Sequence, residues 1–425
     1  MRLCAGVVAA RSGGDVTMAV NVDRMPSRAI PPSRPRLWFW ALLLMLAVLA
    51  GVASAVLLST QPLHDEPITF WIRAMGGPLL VWCVLGFIRA LVYNTQQAFA
   101  DAWDDARQTD LARRMGRGRR SQQVLAVSLQ TALRSPLITA AQQLDALLGD
   151  EIVLRSQPRR HDGVAVRHTR LYGESDESLE PLLLRLMSQL LADLAPTLAE
   201  VAADVPIALL LDAGDDLPHD AVRGAWQQAW DDSALPQTTQ PFAGRGLNAI
   251  DQWLDLRIGD RAMLLVVALQ VPPLSKEDSA EVVVGLLLGN RLTQATLQPI
   301  AYLHRPEQEA ALASEELLRA ARQALDWVPV ERQRIAHAWR SGVDPQRDGD
   351  LTTALNALAS NADQCIENHN LDASLGHASH ASAWLAVASA AQHIERGAGP
   401  QLVCSGNHPA NAALWCTVLM PVAPL

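Results

Sequence analysis

The run Leu37–Leu58, LWFWALLLMLAVLAGVASAVLL, contains no charged residue. At about 1.5 Å per residue, a helix of that length crosses a hydrocarbon core of about 30 Å. A membrane span is therefore predicted here. A second span is predicted over residues 74–93, AMGGPLLVWCVLGFIRALVY, with Trp71 and Tyr93 at interface depth and Arg89 near enough to the end to snorkel. Pro78 marks a place for a kink. The link Ser59–Glu66 carries no Lys or Arg, whereas the flanks on both sides are Arg-rich. By the positive-inside rule, both termini of this multi-pass arrangement face the cytoplasm.

Residues 1–36 carry Arg2, Arg11, Arg24, Arg28, Arg34 and Arg36 among scattered Pro and Gly without periodicity, and read as a disordered basic tail. Residues 94–120 read as a linker helix leaving the second span, and it ends in Arg113, Arg114, Arg117, Arg119 and Arg120. Such a juxtamembrane patch is drawn to anionic lipid with about 1 kcal/mol per residue, or it is an ordinary solvated topology signal.

Residues 121–425 are long enough for a sizeable core. Apolar residues make up 49% of the whole chain and the net charge is -9, so a nucleic-acid partner has no electrostatic basis. Apolar runs such as MLLVVALQV and VVVGLLL read as strands covered on both faces. They alternate with amphipathic stretches, which points to an α/β domain. Helices are predicted over 122–133, 179–201, 220–230, 247–256, 314–327 and 330–340. Strands are predicted over 206–212, 261–271, 282–288, 297–303, 401–405 and 413–420. No tandem repeat is visible. The stretch 375–397, LGHASHASAWLAVASAAQHIERG, reads as a helix buried on nearly every side, with Gly397 as its cap and Arg396 at its negative end.

The five cysteines, Cys4, Cys83, Cys365, Cys404 and Cys416, form no CxxC and imply no disulfide framework. Cys404 has Asn407 and His408 nearby in CSGNH, yet fits a structural thiol on a buried strand. His369, His377, His380, His393, Cys404 and His408 match no standard zinc spacing, so no metal or cofactor is expected. Asp212, Asp215 and Asp216 follow a predicted strand, at the edge where α/β folds place ligands. A solvated turn is the simpler reading. The string GRG at 244–246 opens a helix and offers N–H groups to an anion, without a nucleotide-binding frame. No GxSxG or HExxH is present. The 12 tryptophans fall mostly on apolar helical faces and are expected in the core.

Residues 243–258, 262–291 and 375–397 resemble, in order, elements of thiolase-fold condensing enzymes: a nucleophile turn opening a central helix, an acidic-to-apolar strand (Glu281 to Leu288), and a late Gly-His helix (Gly376-His377). The resemblance implies a thiolase-like layered α/β domain, with His337 and His377 as the family's histidines if the chain is an enzyme. It also implies that the thioester-forming cysteine is missing, because Ala243 or Gly244 stands in its place. Asp372 replaces the usual lysine, and Ser379, His380, Ser382 and Trp384 replace the glycines after the Gly-His pair. Residues 203–218 and 300–307 resemble accessory proteins of type VI secretion, including the lipase-adaptor family.

Together with the two predicted spans, these resemblances imply a non-catalytic accessory or adaptor protein of a type VI secretion system, anchored in a bacterial inner membrane, that binds an effector or spike protein in the cytoplasm. The alternatives are an acyl-binding or condensing-type derivative served by an acyl carrier, and an immunity protein against a secreted toxin.

Overall fold

The computed structural model describes residues 25–58, 71–160, 163–173, 177–214, 217–271, 277–328, 335–359, 366–406 and 412–422. It divides into two compact units, one of residues 21–115 and one that includes Gly116–Leu425.

In the first unit, α1 (Leu37–Leu58) is followed by a π-helical turn, Ile72–Gly76, that runs directly into α2 (Gly77–Gly118). The π turn lies just before Pro78, where the ladder loses the hydrogen bond that proline cannot donate. The Trp82 indole donates to the Trp40 carbonyl at 2.9 Å, and the two rings meet edge to face. Gly51 backs onto Ala74 and Pro78 with no room for a Cβ. Large apolar side chains, among them Leu49, Leu80 and Phe87, point outward. From Gly77 on, the predicted second span and the predicted linker are one continuous helix of 42 residues.

Part of the basic tail, residues 25–36, lies among the described residues. Arg107 donates to the Pro26 carbonyl, the Trp103 indole to Ser27, and the Ala29 amide to Asp104. The carbonyls of this Pro-rich stretch are thus taken up by α2. Residues 1–24 lie outside the described set.

The second unit contains β1 (Ser121–Gln130), α3 (Ala140–Leu148), β2 (Arg155–Pro158), β3 (Ala165–Thr169), α4 (Leu179–Ala199), β4 (Ile207–Ala213), α5 (His219–Asp232), β5 (Thr239–Pro241), α6 (Gly246–Leu256), β6 (Met263–Gln270), β7 (Ser279–Ala280) and β8 (Val282–Asn290). There follow β9 (Ala301–His304), β10 (Glu307–Gln308), α7 (Ser314–Asp326), β11 (His337–Ser341), α8 (Asp348–Leu358), β12 (Glu367–Asn370), α9 (Leu371–Leu375), α10 (Ser382–Glu395), β13 (Gln401–Ser405) and β14 (Trp415–Pro421).

One mixed sheet runs β12-β11-β13-β14-β9-β1-β8-β6-β4-β5, with β10 beside β14. It is two copies of one motif. In the first half the order is β5-β4-β6-β8-β1, with β8 antiparallel to its neighbours. In the second it is β12-β11-β13-β14-β9, with β14 antiparallel. Counting strands within each half, both read third, second, fourth, fifth, first. The halves join through an antiparallel pair, β1 with β9. The duplication leaves no trace of repetition in the sequence.

Strand alternation assigns the two faces. Ala208 and Leu210 of β4, and Leu264, Val266 and Ala268 of β6, join a core with Trp339, Val403 and Leu419 of the other half, centred on α6 and α10. Ile207, Leu209, Leu265 and Val267 face outward onto α4 and α5. In the second half, Ala338, Leu402, Cys404, Cys416 and Val418 face α7 and α8. The layers are therefore helix, half-sheet, central helix pair, half-sheet, helix.

Helix α10 has 12 buried residues of 14, as its Ala-rich composition predicts. Its C-terminus closes on Gly397 at φ 95°, with the Ala398 amide bonded to the His393 carbonyl and the Gly397 amide to Ile394. Arg396 reaches away from that end to Asp145 at 2.7 Å.

Three sequence expectations are corrected. Residues 122–130 are strand β1, because this Gln-, Leu- and Ala-containing segment is hydrogen-bonded between β8 and β9. Residues 337–340 belong to β11, paired on both sides, while 329–334 lie outside the described residues. The late helix begins at Ser382, after a 3₁₀ turn at Ser379–Ala381. Before it, Gly376 at φ 96° passes so close to the Asp278–Ser279 backbone that no Cβ fits.

The last residues of α2, from Gly116 on, belong to the second unit. Gly118 lies flat on the Trp327 ring, and Arg305 donates to the Arg117 carbonyl at 3.2 Å. Arg305 is buried and pairs with Asp251 and Asp255 at 2.7 and 2.8 Å. Arg120 donates to the Leu254 carbonyl at 2.7 Å, and Arg114 pairs with Asp110 at 2.8 Å. Of the five arginines read as a lipid patch, Arg113, Arg117 and Arg119 present exposed side chains.

Candidate functional site

In the enzymes the sequence resembles, chemistry begins at the turn that opens the first half's central helix, here α6. That turn meets the end of β4 and the start of α10 around one carboxylate. Asp212 Oδ2 accepts from the Trp384 indole at 2.8 Å and from the Gly246 amide at 2.8 Å. Trp384 is fully buried and Asp212 nearly so. Burial raises the Asp212 pKa, while the two donors, His380 and Arg245 oppose that shift. His380 packs on Gly214, where a Cβ would come within 3.2 Å of its ring.

The anion site suggested by GRG is thus taken by the chain itself, since Gly246 donates to an internal carboxylate. Asp212 is buried, not a solvated turn residue. Asp215 and Asp216 lie outside the described residues. A Cβ on Gly244 would stand 2.7 Å from that of Ala249, so a cysteine at 244 has no space without movement.

The second half builds a related turn. Asp372 accepts from the Ser341 hydroxyl and the Val343 amide, both at 3.1 Å, and faces His377 Nδ1 at 3.6 Å. The hydrogen bond to Asp372 raises the His377 pKa, and burial opposes it. The His377 backbone is stapled to β7: its amide donates to the Asp278 carbonyl at 2.6 Å, and its carbonyl accepts from Ala280 at 2.9 Å.

His337 is not part of this constellation. It opens β11, and its ring meets that of His393, in the last turn of α10, at 4.6 Å between centroids. His377 lies before the first turn of the same helix, which spans about 20 Å at 1.5 Å per residue. The structure does not bring the two histidines together.

At the His337 end, His337 Nδ1 stands 3.1 Å from His369 Nε2 and 3.2 Å from Glu367 Oε2, and the last two atoms are 4.0 Å apart. Trp339 lies against His369 at 4.5 Å, tilted. Burial lowers the pKa of both His369 and His393. Sequence reading missed Glu367. Its signal was the alternation Glu-Asn-His at 367–369, which puts two ligand-type side chains on one face of a strand. Cys404 faces Cys416 at 3.7 Å on buried strands, while Asn407 and His408 lie outside the described residues.

A surface groove of about 450 Å³ lies between α4 and the loop before α3, lined in part by Arg134, Ile138, Tyr172, Gln189 and Asp193. Leu137 beside it is 92% exposed and Tyr172 60%, so the groove has an apolar rim.

No protein-family model and no curated protein matches the chain. Solved structures do. The ishigamide ketosynthase/chain length factor superposes with a TM-score of 0.51 at 17% identity, covering 71% of this chain and 100% of its own. A ketosynthase from module 6 of the bacillaene synthase of Bacillus subtilis 168 has a TM-score of 0.51 at 11% identity, covering 72% and 71%. At such identities the likeness is one of fold: the second unit has a thiolase-like fold. Among the described residues, three helices are long and apolar enough to cross a membrane: residues 37–57, the helix from Ala74, and α4. Of these, α4 buries Leu182, Leu186, Leu190 and Leu194 in the outer core of the first half-sheet.

Proposed function

We propose that this chain is a membrane-anchored thiolase-like protein that carries out no condensing chemistry and holds a protein partner at the cytoplasmic face of a bacterial inner membrane. The observation that carries this reading is the Trp384–Asp212–Gly246 network. An indole and a buried carboxylate occupy the place where a condensing enzyme needs an open pocket and a nucleophile. Support for the anchor comes from the outward-facing apolar side chains of α1 and the first half of α2. The arginine distribution supports the orientation. The apolar rim at Leu137 and Tyr172 supports a partner-binding surface. The partner class, an effector or spike protein of a secretion system, follows from the sequence resemblance of residues 203–218 and 300–307. Anchoring raises the local concentration of whatever is held.

The test uses the full chain in detergent. Intact mass after incubation with acyl thioesters and acyl carrier is expected to show no acylation, and capture from cytoplasmic extract is expected to retain a secreted toxin or spike protein. A covalent acyl adduct, or a bound acyl chain with no protein partner, would replace this reading with the acyl-binding one. Protection of cells from a toxin by one-to-one binding would replace it with immunity.

A further inference from the structure

We propose that His337, His369 and Glu367 form a binding site for a divalent transition-metal ion, zinc in the first instance, clasping β11 to the edge strand β12. The site stands apart from the turns at the start of α6 and α10 and does not depend on the function proposed above. Its residues come from the strand register. In the parallel pairing His337 is opposite Glu367 and Trp339 opposite His369, so Glu367 and His369 share one face and His337 joins them across the ladder.

Nitrogen and oxygen ligands at about 2.1 Å around a tetrahedral ion stand about 3.4 Å from one another. The separations here are 3.1, 3.2 and 4.0 Å. His337 Nδ1 faces two neighbours at once, an imidazole nitrogen and a carboxylate oxygen. If His369 Nε2 carries the proton and donates it to His337, the Glu367 oxygen faces a bare lone pair at 3.2 Å. If His337 Nδ1 carries it, one proton is split between two acceptors. A divalent cation at the point of convergence satisfies all three lone pairs.

The surroundings fix the tautomer of the next imidazole. Gln401 donates its amide to the Gly399 carbonyl, and its oxygen accepts from the Trp339 indole at 2.9 Å. That oxygen is therefore the acceptor for His393 Nδ1 at 3.3 Å, which fixes the proton on Nδ1. Glu367 is 67% exposed, so the ion has an entry path and water completes its shell. His369 is nearly buried, and its Nδ1 has no partner among the described residues. Binding leaves a proton on that nitrogen without an acceptor, which sets the affinity on the order of micromolar, not nanomolar.

The test uses the full chain in detergent, stripped with chelator and titrated with Zn(II) alone and Co(II) alone. One equivalent is expected to bind, with visible d–d absorption for Co(II) of fewer than six ligands. H337Q and H369Q are expected to weaken binding by about a hundredfold and to abolish that absorption, and E367Q to weaken it by about tenfold. H377Q, at the other end of α10, is expected to bind as the parent does. Because H369Q replaces a buried residue, the exposed E367Q and half-buried H337Q decide the matter should it fail to fold. Absence of binding by the parent overturns the proposal. So does binding unchanged in both H337Q and E367Q.

Discussion

The two ends of α10 carry opposite chemistry. At its start, the Trp384 indole donates to the buried Asp212 carboxylate, and Asp372 faces His377 from the second half. At its end, His393 borders a cluster whose carboxylate is exposed and whose three ligand-type atoms converge. On the function proposed above, the first end is the one that the resembled enzymes use, and Trp384 and Asp212 fill it. The second holds His337, which the resemblance paired with His377 and the fold does not, and it is the end where ligand-type atoms converge. A fold fixes where elements meet, whereas side-chain volume and protonation decide which meeting place remains reactive.

The largest effect expected is at the closed end. Trp384→Ala removes a fully buried indole and leaves a cavity beside Asp212, at a cost of about 3–5 kcal/mol. Denaturant unfolding of the full chain in detergent measures it. A variant as stable as the parent that takes up an acyl chain would show this end to be a plugged pocket and would erase the contrast. Trp384→Phe sharpens the point. It keeps most of the volume but takes a donor from Asp212, for an expected loss of about 1–3 kcal/mol.

How much of this was legible in the sequence depended on how local the cause was. Helices α4, α5, α6 and α7 follow from amphipathic spacing, which each segment carries by itself. Segment 122–130 was misread because its composition suits a helix, and only its two neighbours in the sheet make it a strand. The Ala-rich stretch announced a helix buried all round, but not that Gly376 would wedge against Asp278 and delay its start. Trp384 was visible as a residue standing where glycine is usual in the resembled family. Its partner Asp212 lies 172 positions away, and nothing along the chain pairs the two. The duplicated strand order was invisible for a related reason. Each half needs only apolar residues in alternation, so topology is retained while residue identity drifts.

A smaller effect separates the two turns by pH. The pairing with Asp372 raises the folded pKa of His377 above its unfolded value near 6.5. The stabilisation is therefore fully present below that value and is lost as pH rises through the folded pKa. It is expected to amount to about 1 kcal/mol, as for a partly exposed ion pair. Unfolding midpoints of parent and Asp372→Asn across this range measure it, the expected outcome being a falling difference with rising pH. A flat difference would mean that Asp372 serves only the Ser341 hydroxyl and Val343 amide.

The smallest effect is expected at the open end, and it tests the contrast most directly. In chelator, Glu367→Gln touches an exposed carboxylate and is expected to change stability by less than about 0.5 kcal/mol. With zinc at a hundred times its dissociation constant, the parent gains about 2.7 kcal/mol by mass action, because the ion binds the folded chain in preference to the unfolded one. The variant, binding about tenfold more weakly, gains only about half of that at the same concentration. A carboxylate that is silent without metal and matters with it is a ligand. One that costs the same in both conditions is a surface charge, and the two ends of α10 would then differ only in how well they are packed.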